Sequence, residues 1–485
     1  MRRPFWRLGP VWGALFVLGV LCPGQAEPSV ESAQAAVLGA VHFLRERVSV
    51  QGSYGWSYSL DLTDRRGEGE MTPTQGWVQP PGTPSVGMAF LRAYRATGEA
   101  ELWDATVETA RALVQTQLLS GGWHYRIEFD PSERREWLYR VDHGSNAPAV
   151  GLPRRANRTV FDDDTTTSAL RFLIAVDRQA QGRLEEVQEA VRYGLRRLMD
   201  AQYPNGAWPQ VYHGEVWDPQ EHPRRKARIP QEWPREYPRG VDYWKFYTLN
   251  DHVMRNIIET LLLAYEAYGE PAYWEALLRG AEFLLDAQLP DPQAGWAQQY
   301  NFQMEPAWAR RFEPPAVAAA ESVGVAEVLL RLYRRTGDER YRQAVGRAVE
   351  WLRRSQLPNG RWARFYELGT NRPLYFTRDY QLTYSDTDLP THYSFQGSYG
   401  VARLIRDFEA LSRPEERPAE GSSSSGEEIA RLAEEASRII AAQDEQGRWI
   451  TKGRLEMRTF VRHLGTLARY IEAVQRRDRL KAQEE

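Results

Sequence analysis

The sequence predicts an all-α protein of repeated helical hairpins, forming an (α/α) toroid or an incomplete toroid. Two observations predict it. An apolar helix end, a Gln, a short loop, a Gly and a Trp recur five times along the chain. A second helical segment precedes each such helix and closes in turns such as Tyr94-Arg95-Ala96-Thr97-Gly98, Tyr265-Glu266-Ala267-Tyr268-Gly269 and Tyr333-Arg334-Arg335-Thr336-Gly337. Glycine tolerates the left-handed conformation that ends a helix. A lone hairpin cannot bury its apolar face, so successive hairpins must stack, with their Gly-Trp loops on one face.

The elements follow in order. Arg2, Arg3 and Arg7 precede the apolar run Val11 to Leu21, and Gly24-Gln25-Ala26 offers small residues for cleavage. Residues 1–26 thus read as a secretory signal peptide, and the mature protein is expected to be secreted or periplasmic. The apolar run is too short to span a bilayer. Removing the three arginines takes the formal charge from −3 to −6. The sole cysteine, Cys22, leaves with them, so no disulfide or thiol chemistry is expected. With 26% charged residues and near-neutral balance, the chain is globular and carries no global signal for nucleic acid.

Residues 27–413 read as the helical toroid. The repeats are Gln117…Gly122-Trp123, Gln202…Gly206-Ala207-Trp208, Gln288…Gly295-Trp296, Gln356…Gly360-Arg361-Trp362 and Gln443…Gly447-Arg448-Trp449. Gly55-Trp56, after a helix over Val30–Glu46, reads as a weaker sixth copy. Each Trp is first a packing device between hairpins. His213 to Val241, rich in Pro and charge, reads as an inserted surface loop. Residues 414–426, with four serines, read as a flexible linker. Residues 427–485 read as C-terminal helices docked on the toroid.

Three clusters carry chemistry. Asp162-Asp163-Asp164-Thr165-Thr166-Thr167 opens a helix. One Asp suffices to cap it, whereas three adjacent carboxylates repel unless a cation compensates, and hard oxygen donors suit Ca²⁺. Asn250-Asp251-His252 opens the corresponding helix one hairpin later. Adjacent hairpins place such helix starts side by side, so both can face one cleft. The third cluster is basic: Arg364, Arg372 and Arg378 with Asn371, and Arg310 in the preceding unit. Guanidinium forks bind carboxylates, although surface ion pairs use the same residues. Acid and Arg clusters on one face point to an anionic, carboxylate-bearing polymer. No nucleophile elbow, zinc motif or phosphate loop is evident.

In order along residues 160–400, these motifs resemble polysaccharide lyase family 10, the pectate lyases with an (α/α) toroid-like fold. The run Asp162–Thr167 resembles D-N-D-A-T-T, and Asn205-Gly206-Ala207-Trp208-Pro209-Gln210 resembles N-G-G-W-P-Q. Leu249–Met254 resembles F-N-D-D-A-M. Trp296–Asn301, with Pro306 and Ala309-Arg310, resembles W-C-A-Q-H-D followed by P-x-x-A-R. Arg364-Phe365-Tyr366 through Gly369-Thr370-Asn371-Arg372-Pro373 and Arg378-Asp379 resembles R-F-Y-x-I-G-T-N-R-P followed by R-D-G. The chain departs from the family at Tyr300-Asn301, His252, Ala316–Ala319 and Tyr380.

The resemblance implies a Ca²⁺-assisted β-elimination on polygalacturonate. By motif, Asp162, Asp164 and Asp251 would bind Ca²⁺. Arg310, Arg364 and Arg372 would hold uronate carboxylates, with Trp208 and Asn371 as further substrate-binding candidates. Arg378 would be the proton-abstracting base. A monomer acting on a plant-type anionic polysaccharide is expected. A non-catalytic polysaccharide-binding protein, or a glycoside hydrolase on the same toroid, remain the alternative readings.

Overall fold

The computed structural model describes residues 27–143, 154–411 and 423–484. The signal peptide expected at 1–26 and most of the expected linker lie outside them. Ser423 already belongs to a helix, so the linker reading ran a few residues too far.

The described residues form α1 (Val30–Phe43), α2 (Thr83–Thr97), α3 (Ala100–Gln115), the single turn α4 (Arg140–His143), α5 (Thr165–Ala180), α6 (Glu185–Asp200), α7 (Val253–Tyr268), α8 (Pro271–Asp286), α9 (Ala319–Thr336), α10 (Glu339–Arg354), α11 (Val401–Ala410), α12 (Ser423–Ala441) and α13 (Met457–Glu484). The protein is mainly helical and built of helix pairs. Gly98, Gly269 and Gly337 end α2, α7 and α9 in the left-handed conformation.

The helices stack in two rows. An inner row runs α13, α2, α5, α7, α9, α11, and α1, α3, α6, α8 and α10 flank it outside, with α12 beside α1. The N-terminal helix α1 thus sits between the C-terminal pair and α3. Among the described residues the apolar core has two main parts. One joins α1, α12 and α13 with one flank of α2 and α3, and the larger one runs from α3 to α11.

The repeated Gln and Trp hold this stack. The Trp indoles of 123, 208, 296, 362 and 449 each donate to a carbonyl of their own outer helix: Leu113, Leu198, Leu284, Leu352 and Ile439. The Gln amides reach sideways. Gln117 donates to Ala190 O, Gln202 to Ala276 O, Gln288 to Ala344 O and Gln443 to Ala36 O, each on the next outer helix. Gly206 sits where the loop meets α8. A Cβ there would lie 2.1 Å from Arg279 O, so only glycine fits. The Gly55-Trp56 copy departs from the pattern, since the Trp56 indole donates to Gln79 O.

The loops hold short strands that hairpin periodicity did not predict. Thr159–Val160 pairs with Val211–Tyr212, Tyr247–Thr248 with Gln299–Tyr300, and Ala316–Ala318 with Phe365–Glu367. Two or three residues are too few for a period of two to show in sequence. These ladders tie neighbouring loops into one face, where the acidic helix starts lie.

Candidate active site

Two turns at the starts of α5 and α7 form the centre. Asp162–Asp164 and Asn250–His252 are each one 3₁₀ turn, and they pack against each other. Their backbones match: Asp163 and Asp164 have φ of 50° and 60°, Asp251 and His252 of 46° and 64°. Four non-glycine residues in the left-handed region carry strain, which packing must hold in place. Here the ladders hold it. Phe161 N donates to Gln210 O, and Leu249 N and Asn250 N donate to Gln298 O.

This backbone brings Asp162, Asp163 and Asp251 together, with carboxylate oxygens all within 4.8 Å of one another. Asp162 is 2% exposed. Its Oδ2 accepts from Gln210 at 2.6 Å, Arg310 at 2.8 Å and Tyr125 at 3.1 Å. Its Oδ1 is buried with no hydrogen-bond partner. Asp163 accepts from Gln79 at 2.9 Å. Arg310 spans the cluster, reaching Asp251 at 3.3 Å and buried Glu313 at 3.1 Å. Arg364, 13% exposed, pairs with buried Glu321 at 2.8 Å, lies 3.7 Å from Asp251 and stacks over Tyr393. Gln298 donates to Asn250 at 2.7 Å.

Acid outnumbers base at this centre. Burial, then Asp251 and Asp163, push the Asp162 carboxyl well up against the pull of Arg310. Burial and Asp251 push Asp163 up to about 7. Burial raises Glu313, and Arg310 opposes it. Burial works against the Arg310 charge, but Glu313, Asp162 and Asp251 outweigh it and raise its pKa. The guanidinium stays charged and leaves an excess of carboxylates around it. A buried carboxylate oxygen without a partner, among converging oxygen donors, fits a hard divalent cation such as Ca²⁺.

The structure corrects the sequence-based site at five residues. Asp164 faces away: its left-handed backbone turns the carboxylate to Arg171 at 2.5 Å and Thr167 at 2.6 Å. Asp163 takes its place in the cluster. Trp208 is fully buried and packs the repeat, so it offers no face to a ligand. Asn371 holds its turn, accepting from Trp351 and Gln293 and donating to Ser355. Arg372 stacks on the Tyr384 ring, 3.6 Å from its centroid, away from the acids. Arg378 is 70% exposed and pairs with Asp388 at 3.3 Å. Asp162, Asp251, Arg310 and Arg364 converge.

Gln79 and Tyr125 went unnoticed in the sequence, although a signal for Tyr125 was there. Tyr125, Gln210, Gln298 and Arg364 each stand two residues after a repeat Trp. Four successive loops therefore deliver the same repeat position to one centre.

Residues 136–216 and 230–359 match the family model described as pectic acid lyase. No curated protein is significantly similar to the chain. Among solved structures, a mutant family 10 polysaccharide lyase from Cellvibrio cellulosa, in complex with trigalacturonic acid, is 20% identical. The match covers 68% of this chain and 98% of that one, at a TM-score of 0.46. A D-mannose isomerase matches at 14% identity over 92% and 98% of the two chains, TM-score 0.46. A family GH76 alpha-mannanase from Bacteroides thetaiotaomicron matches at 9% over 93% and 97%, TM-score 0.43. The two segments that match the pectic acid lyase model enclose both acidic turns and Arg310, so the chain is similar to that family where its acidic centre lies.

Proposed function

We propose that the protein is an exported lyase that cleaves polygalacturonate by β-elimination, with Ca²⁺ held by Asp162, Asp163 and Asp251. The convergence of these three carboxylates with Arg310 and Arg364 carries the reading. Bound there, the cation would neutralise the carboxylates and stabilise negative charge growing on a uronate carboxylate.

The chain's own residues supply the rest. Tyr125, Gln210 and Gln79 fix the orientation of Asp162 and Asp163. Arg364, braced by Glu321 and Tyr393, presents a guanidinium to the substrate carboxylate. A base must remove the proton alpha to that carboxylate. The electron pair then forms the new carbon–carbon double bond as the glycosidic C–O bond breaks, and the leaving oxygen takes a proton from solvent. We assign this role to Arg310, which donates to Asp162 at the acidic centre, whereas Arg378 lies exposed against Asp388. The Arg310 charge is held up by its carboxylate neighbours, so losing its proton requires those carboxylates to be compensated.

The deciding experiment incubates the protein with polygalacturonate in Ca²⁺ or chelator. The expected result is Ca²⁺-dependent release of unsaturated product. New reducing ends without unsaturation would mean a hydrolase, and binding without cleavage a non-catalytic protein.

A further inference from the structure

We propose that a cationic cavity beside the Arg310 turn binds a uronate carboxylate of the same polymer, away from the reacting sugar. This rests on the polyuronate reading above and names a site for a distant part of the chain. The cavity has a volume of about 380 Å³. Arg235, Arg239 and Arg311 line it, against a single acid, Glu236.

The inserted segment 213–241 supplies one wall. The Trp308 indole donates to Pro234 O at 2.8 Å, and the Tyr237 ring meets Trp308 edge-on at 5.8 Å. The opposite wall is the 376–382 segment, where Tyr380 stacks on Phe312 at 5.7 Å. Arg311 and Phe312 directly follow Arg310, so the cavity borders the acidic centre through that turn.

The three arginines are in different states. Arg235 is tied to Glu367 at 2.5 Å and gives the wall its shape. Arg311 makes one long hydrogen bond, to Asp379 O at 3.4 Å, and lies over the Tyr380 ring at 5.4 Å. Arg239 has no ion-pair or hydrogen-bond partner among the described residues. Two guanidiniums thus face a concave space with most of their donors unspent. A planar fork of donors matches a carboxylate, and the half-buried Tyr237 ring lies beside it to meet a sugar, while Tyr380 is held by Phe312 and Arg311. A neutral polysaccharide would leave both charges uncompensated. A polyanion would also be drawn to the cleft, more weakly as salt rises.

The test compares Arg239→Ala/Arg311→Ala with wild type and with a control, Arg334→Ala/Arg335→Ala, at the far end of α9. Polygalacturonate is the probe, both for kinetics and for a Kd measured in chelator. The cavity variant should raise KM and Kd about tenfold with kcat within about twofold, as lost uniform binding does. Its melting temperature should match wild type, and the control should leave KM and Kd unchanged. No rise in the cavity variant, or an equal rise in both variants, would overturn the proposal. If wild type releases no unsaturated product, the lyase reading fails alone. The Kd comparison then still decides whether this cavity takes a polyuronate.

Discussion

Asp163→Asn should make the metal-free protein more stable at alkaline pH and almost neutral in effect at acid pH. The Asp163 carboxyl is raised from 3.8 to about 7 by burial and by Asp251. Between these values the folded state holds a proton that the unfolded chain has lost. Stability is therefore full below about pH 4 and falls as pH rises through 7. A shift of that size corresponds to roughly 4 kcal/mol at most at pH 8. Asparagine removes the charge, keeps an oxygen for Gln79 and tolerates a positive φ. For a chain this long, 1 kcal/mol moves Tm by about 1 °C. Thermal unfolding in chelator should place the variant about 2–4 °C above wild type at pH 8 and level with it at pH 4. Ca²⁺ should raise Tm of the wild type at pH 8 and hardly that of the variant, because a cation relieves the same repulsion. A difference between the two proteins that stays constant across this pH range would refute the reasoning.

Arg310→Lys should lower kcat by roughly 10²-fold or more, the range for a lost general base, while Arg378→Lys stays near wild type in the same assay. The reverse order would return the base role to Arg378. Trp208→Phe should cost about 2–3 kcal/mol in denaturant unfolding, through the lost bond to Leu198 O and the void left behind. Its KM should not change, and a raised KM with unchanged stability would restore Trp208 as a ligand contact. N-terminal sequencing of exported protein should begin near Glu27, and an intact Met1 would refute export by cleavage.

The helix pairs were legible because each hairpin repeats the same Gln, Gly and Trp, and because glycine marks the helix ends. The acidic turns were legible as places where carboxylates crowd a helix start. Which carboxylate faces inward was not. Consecutive left-handed residues swing Asp163 inward and Asp164 outward, and that backbone is imposed by ladders to distant loops. Gln79 was hidden for a related reason. It reaches Asp163 across 84 residues of sequence, and no local pattern marks a polar side chain for such a partnership. Arg372 and Arg378 show the converse. A charge-rich loop draws attention to every arginine in it, but only Arg364, two residues after its Trp, enters the centre.

The place of α1 has a consequence for how the chain is made. Its neighbours in space, α12 and α13, leave the ribosome only after α2 to α11 have done so. The bond from Gln443 to Ala36 joins residues 407 apart. At roughly 5–20 residues per second, that partner follows some 20–80 s later. Throughout that interval the part of α1 that packs on α12 and α13, Ala36 among it, lacks its final cover. A helix made early is thus covered late, and chain growth alone leaves a sticky surface waiting for its partners.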